Sequence, residues 1–503
     1  MAVEHFDVLI VGAGLSGIGA GVHLHENCPS KSYVILEGRS VIGGTWDLFR
    51  YPGIRSDSDM HTLGYRFKPW RAAKAIADGP AILEYVKETA SEYGVDTHIR
   101  YNHLVKKASW SSEDARWTVE AERSDNGETV RVTCNFLFMN AGYYSYREGY
   151  TPQFKGIENF RGPIVHPQKW PTDLDFRNKT VVVIGSGATA MTLVPAMAND
   201  VGHIVMLQRS PTYVVSAPER DAIANALRSF LPGKWAYALT RWKNVAFQQF
   251  MYRQTRTRPA KVKKRLIDMV RKELGADYDV ATHFTPRYNP WDQRLCLVPD
   301  SDLFKSIRSG KASVVTDEID SFTPSGIKLK SGKVLEADII VTATGLNLVV
   351  LGEMQFAVDG EPVDFGKTWT YKGMMYSGVP NLVSTFGYIN ASWTLRADLT
   401  SEYVCRLLNH MDATGTRQVT PRLRAWDKTM PPRPWIDDFS SGYMKRMMDR
   451  FPRQGDHEPW INPQNYTRDK QMIRHGALED GALIFDNPPA KAQASAVTLK
   501  AAE

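Results

Sequence analysis

Three glycines at positions 12, 14 and 17, in the run GAGLSG, point to the first chemistry in the sequence. This spacing lets a tight turn bring backbone N–H groups against a phosphate at a helix N-terminus, with no side chain in the way. Gly12 would supply the turn, Gly14 the close approach and Gly17 the helix packing. Glu37 lies 20 residues after Gly17, where a carboxylate hydrogen-bonds ribose hydroxyls. A second run, GSGATA (185–190), repeats the pattern through Gly185, Ser186, Gly187, Ala188, Thr189 and Ala190, with Ala in the last place. Where an acid would bind its ribose stand Arg209 and Ser210. A guanidinium suits the 2′-phosphate of NADP. One unit with an acid and one with a base predict FAD in the first site and NADPH in the second.

These residues need strands and helices to present them. An apolar strand at 6–11 precedes the first glycines, a small-residue helix follows from Ile18, and a second strand at 33–36 delivers Glu37. In the repeat, a strand at 180–184 leads into the glycines, a helix starts at Met191, and a strand at 203–207 ends near Arg209. Two such βαβ starts predict an α/β fold with two Rossmann-like dinucleotide-binding domains. Antiparallel strands at 117–121 and 130–140 end in NAGYYS (140–145), and a strand at 334–343 ends in TGLN (344–347). Both read as return strands leaving a dinucleotide domain.

The charge of +7 is uneven: residues 220–275 hold 14 Lys/Arg against 3 Asp/Glu, a local +11, leaving about −4 elsewhere. One basic segment argues against a nucleic-acid-coating role. That segment reads as a helical insert, with Val262, Leu266, Val270 and Leu274 as a buried stripe among solvated cations. A second reading is peripheral contact with an anionic membrane, using Trp235 and Trp242. No run of 18 apolar residues predicts a transmembrane helix, and the N-terminus lacks signal-peptide features. Cys28, Cys134, Cys296 and Cys405 lie far apart, which disfavours a zinc site or a redox dithiol and fits the cytoplasm.

Two longer stretches carry a resemblance. FRGPIVHPQKWP (160–171) fits F-x-G-x-x-x-H-x-x-x-W-P, and GGTWDLFRYPGIRSD (43–57) fits a second signature of the same family. The chain resembles the type I Baeyer–Villiger monooxygenases over nearly its whole length. Residues 50–67, 289–299 and 390–399 look most like mycobacterial FAD monooxygenases of this group. The resemblance implies that Thr45, Trp46, Asp47 and Leu48 line the flavin, with Ser16 and Glu37 on the rest of FAD. Val105 would meet the adenine through its backbone, and Asp57 would sit beside flavin and NADP, next to Arg55 and Ser56. Gly185 to Met191, Arg209 and Ser210 would hold NADPH, and Arg294 falls where the family carries its catalytic arginine. Many members place Lys before that arginine; here Gln293 stands there, so selection of NADPH would rest more on Arg209. His166 and Trp170 read as structural residues of the linker and core; for His166 the resemblance adds a part in domain movement.

By this reading NADPH reduces FAD, O2 gives a C4a-peroxyflavin, and a ketone becomes an ester or lactone. Arg294 would supply a fixed positive charge, oriented by Asp57. Small ketone or sulfur compounds would be the substrates; the oligomeric state is left open. Three alternatives stand beside this one. They are a flavin monooxygenase acting mainly on sulfur or nitrogen, an NADPH-dependent disulfide reductase, and a flavin-holding membrane protein without turnover. The expected domains are FAD-binding at 1–145 and 346–486, NADP-binding at 151–215 and 289–345, a helical insert at 216–288, and a disordered tail at 487–503. Within the last FAD segment, residues 375–394 read as loops over the flavin, with Trp393 facing either substrate or core.

Overall fold

A computed structural model describes residues 3–437 and 441–488, and its architecture follows from where the apolar strand residues can be covered. Strand Glu4–Val11 is exposed at its start and buried through its last four residues, Val8 to Val11. Strands covered on both faces read as continuous apolar runs, and this one pairs in parallel with Tyr33–Leu36 on one side and Thr129–Met139 on the other. Arg116–Arg123 and His103–Ser111 extend that sheet antiparallel, and Gln355–Val358 and Leu382–Ser384 join it from the far end of the chain.

The second sheet is all parallel. Its order is Ala312–Thr316, His203–Gln208, Thr180–Ile184, Ile339–Thr342, Ile164–Val165. The first sheet therefore draws on both ends of the chain and the second on its middle. The expected α/β fold with two Rossmann-like units is the fold observed. Each unit buries its own core, one around helix Leu15–Asn27 and Trp393–Thr414, the other around helix Ala188–Met197.

Local expectations shift in four places. Helices begin at Leu15 and Ala188, three residues before the expected Ile18 and Met191, because the last motif residues already form the first turn. The expected strand 334–343 is two strands. Val334–Glu336 pairs with Gly326–Leu329, and Ile339–Thr342 with Thr180–Ile184. Asp338 makes the break by gripping Thr180: its carboxylate accepts from the Thr180 N–H at 2.7 Å, and its own N–H donates to the Thr180 carbonyl. The basic segment is three helices, Ala222–Phe230, Gly233–Thr257 and Pro259–Leu274, separated by prolines. In the last helix Leu266, Ile267 and Val270 are buried, while Val262 and Leu274 are only half so. Finally, Asn487, placed by sequence in the tail, is anchored. Its side chain accepts from Arg417 N at 2.8 Å and donates to Gly415 O at 3.0 Å. The rest of that tail, from 489, lies outside the described residues.

Candidate active site: a cleft between two nucleotide units

Gly12 fixes the first corner of the site. Its φ of +99° is one that L side chains rarely adopt, and an added Cβ would stand 2.6 Å from Asn140 O. Gly17, in the first helical turn, lies so close that a Cβ would meet Gly12 O at 1.8 Å. Gly14, the N-cap of helix Leu15–Asn27, faces Gly44 at ordinary contact distance. Two glycines thus flank an open helix N-terminus whose N–H groups and dipole favour a phosphate. Glu37 is buried nearby; its carboxylate accepts from Ala13 N at 2.8 Å and Arg39 N at 2.9 Å. Burial raises its pKa, against the pull of those N–H groups. Each oxygen keeps a lone pair for a hydroxyl donor.

These residues open onto one cleft of about 2640 Å³ including its mouth and the open solvent there. Gly12, Gly14, Ser16, Glu37, Thr45, Trp46, Arg55, Asp57, Val105, Ala188, Thr189 and Arg294 all line it. Asp57 and Arg294 come from different parts of the chain and form an ion pair. Thr45 Oγ1 meets the Tyr144 hydroxyl at 2.5 Å. Arg55 pairs with Asp302 at 2.5 Å, and its other terminal nitrogen is buried with no partner. Buried Tyr51 lies beside Thr189 of the second unit on the cleft wall; burial pushes its phenol up to about 12, so it stays protonated.

Other expected residues lie elsewhere. Asp47 is buried and takes Arg39 at 2.5 Å and Arg50 at 2.8 Å, so it positions Arg39 and does not face the cleft. Leu48 packs into the core of the second unit. Ser56 is buried, its hydroxyl accepting from Ala77 N. Ala190 and Met191 are core residues, because the helix turns them inward. Gly185 forms the tight turn, with φ +131°. Gly187 is exposed at the N-cap of helix Ala188–Met197, with nothing against it. Ser186 bridges to Ser210 O at 3.2 Å and Thr212 at 3.1 Å, and Arg209 is exposed just beyond the strand.

The sequence reading named neither Asn140 nor Thr385 individually and left Trp393 between substrate and core. Both side-chain polar atoms of Asn140, and the hydroxyl of Thr385, are buried at the cleft without a partner. Trp393 donates from its indole to Ser16 at 2.7 Å and stacks on Tyr143 at 5.1 Å, with Phe386 beside both. It therefore packs and lines the cleft at once. Asn140 had one sequence signal, its place at the end of a return strand, and Thr385 and Trp393 lay in the segment read as loops over the flavin; the Ser16–Trp393 contact had none. His166 sits on Gly149 and donates to Gly345 O at 3.1 Å, tying together the two crossings between units.

Comparison with known proteins agrees with this geometry. A family model for flavin-binding monooxygenase-like proteins matches residues 76–350, and one for NAD(P)-binding Rossmann-like domains matches 10–77. The FAD-containing monooxygenase EthA of Mycobacterium tuberculosis is 54% identical over 488 residues, covering 97% of this chain and 99% of that protein. The chain belongs to the flavin-binding monooxygenase-like family. It is an oxidoreductase with a flavin cofactor, as the paired motifs predicted. A probable FAD-binding monooxygenase, AlmA of Acinetobacter baylyi, is 46% identical, with 96% of each chain covered. The structure of a steroid monooxygenase bound to NADP shares the fold, with a TM-score of 0.77 at 22% identity, covering 96% of this chain and 100% of that one. In this flavin-binding monooxygenase the bare Gly12–Gly14–Gly44 cradle and the unpartnered Asn140 and Thr385 atoms fit a bound flavin dinucleotide.

Proposed function

We propose that this enzyme is a Baeyer–Villiger monooxygenase using FAD, NADPH and O2 to convert ketones to esters or lactones, with sulfur compounds as further substrates. The observation that carries the reading is the Arg294–Asp57 pair on the wall of the cleft that holds the glycine cradle. FAD would lie with its pyrophosphate at Gly12–Gly14 and a ribose on Glu37. NADPH would use the open helix N-terminus at Gly187 and the exposed Arg209. When bound, the reduced flavin supplies the activation of O2.

The chain's own residues supply the rest. A guanidinium keeps its proton even in an apolar site, so Arg294 is a permanent cation for negative charge building on the carbonyl oxygen. Asp57 aims it through a charge-assisted hydrogen bond. Tyr143, Phe386 and Trp393 form an apolar aromatic wall that excludes water from the reacting carbon. Burial raises the Tyr143 phenol, although Arg294 pulls the other way, so it offers no competing base.

The test is product analysis with a ketone and a thioether, for wild type and Arg294→Ala. Wild type should form ester and sulfoxide. The variant should still oxidise NADPH but lose ester formation by about 10²- to 10³-fold. Normal ester formation by the variant would remove Arg294 from the mechanism. Sulfoxide without ester from wild type would replace the reading with a sulfur oxygenase.

A further inference from the structure

Helix Gly233–Thr257 is turned inside out. A surface helix ordinarily buries its apolar stripe and exposes its polar one. Here the polar side chains point inward. Arg241 donates to the carbonyls of His61, Thr62 and Gly64 at 2.7–3.1 Å, and Asn244 and Gln248 both donate to Asp59. Outward stand Trp235 (73% exposed), Leu239, Trp242 (69%) and Phe250, one stripe at helical spacing, with Phe247 beside it. Phe230 is 84% exposed on the preceding turn. Among the described residues, eight of the thirteen large apolar side chains left exposed fall between 223 and 250. Apolar surface this concentrated marks a contact site.

Charge selects the partner. From 222 to 267 the sequence has 11 Lys/Arg and no Asp or Glu. Lys234, Arg253, Arg258 and Lys261 are exposed along and just beyond the apolar stripe. Aromatic side chains ringed by cations match a surface with an apolar interior and anionic headgroups. A second copy is a poor match, because a two-fold interface would set this acid-free segment against itself. No described helix is long and apolar enough to cross a membrane, so the contact would be peripheral.

We propose that the outer face of helices Ala222–Phe230 and Gly233–Thr257 docks on an anionic lipid bilayer. Because its polar face is occupied within the protein, the helix docks as part of the folded body. It packs on Met60–Leu63, and Leu63 lines the cleft. Docking therefore sets one wall of the cleft a single helix away from lipid. The proposal does not depend on which substrate is oxygenated.

Flotation tests it, using the FAD-loaded full-length enzyme and vesicles of phosphatidylglycerol and phosphatidylcholine in equal parts, beside vesicles of phosphatidylcholine alone. The enzyme should float with the anionic vesicles, far less with the neutral ones, and less again at about 0.5 M salt. Trp235→Ser/Trp242→Ser/Phe250→Ser should lower the bound fraction at least about tenfold, with flavin content and vesicle-free NADPH oxidation unchanged. Absence of flotation with anionic vesicles, or equal flotation of the variant, would overturn it. So would a wild-type dimer in sedimentation that the variant converts to monomer, because the face would then belong to a second copy.

Discussion

Arg294 and Asp57 are 237 positions apart in sequence, yet their side chains meet on one wall. Neither is deeply buried, with 35% and 40% of the side chains exposed, so the pair adds little to stability. On the proposed function its value would be orientation: a guanidinium left to rotate would be aimed at the reacting oxygen only part of the time. Asp57→Asn should therefore keep flavin content and NADPH oxidation. Ester formed per NADPH should fall about tenfold, the lower range for a charge-assisted hydrogen bond that is partly exposed. Simultaneous measurement of NADPH consumed and ester produced checks this; unchanged coupling would make Asp57 merely structural. At this scale legibility was uneven. Gly12, Gly14, Gly17 and Glu37 were readable because backbone approach to a phosphate fixes their spacing. Asn140 was legible only as the end of a return strand, and Thr385 and Trp393 only as part of the loops over the flavin; the Ser16–Trp393 contact was not, since no spacing rule links residues 377 positions apart. Asp47 is the converse case. The motif gave its neighbourhood, but two arginines, Arg39 and Arg50, decide which way its carboxylate turns.

Among the elements, helix Gly233–Thr257 shows what a pattern of residue types omits. The sequence has the composition of a basic helical insert, and helices form there. Which face is buried depends on what the fold offers, and here it offers the backbone carbonyls of His61, Thr62 and Gly64 and the buried carboxylate of Asp398. Arg241 satisfies all of these, lying 3.4 Å from Asp398. Asp398 also takes His23 and the Arg66 N–H, and despite burial its pKa is lowered by these partners. Arg241→Leu fits the space but strips a buried carboxylate of its cation. We expect a loss of about 3–5 kcal/mol, typical of a broken buried pair, seen as a lower melting temperature and faster hydrogen exchange over 59–65. A melting temperature within a degree or so of wild type would show that the carbonyls are satisfied without the arginine.

At the scale of the whole molecule, two repeated units were legible and their juncture was not. A βαβ unit is a local pattern, whereas the cleft needs contacts such as Tyr51–Thr189 across units. The junctures also hold histidines, one buried and two half-buried, that respond to acid. His166 lies where the chain crosses between units, His61 under the helical insert, and His283 where the insert rejoins the second unit. Burial lowers the pKa of all three. His166 accepts from Gln168 N through Nδ1 and donates through Nε2, an arrangement that needs the neutral ring. The sign follows from linkage. Above about pH 6.5 the histidines are neutral folded or unfolded, and the stability is intact. As pH falls through 6.5 and then through the lower folded values, the unfolded chain takes protons that the folded one resists, and stability is lost. His457 runs the other way, raised by Asp427 and Asp456, but it is solvent-screened and contributes little. Carboxylates held low, such as Asp398 and Asp221, stay ionised until more acid pH. The first acid loss, between about pH 6.5 and 5, therefore belongs to the junctures. Calorimetric melting across that window should show a falling melting temperature in wild type and a shallower fall in His166→Gln, whatever the variant's absolute stability. Gln can still donate to Gly345 O and has nothing to titrate. Parallel slopes for the two proteins would place the acid sensitivity elsewhere.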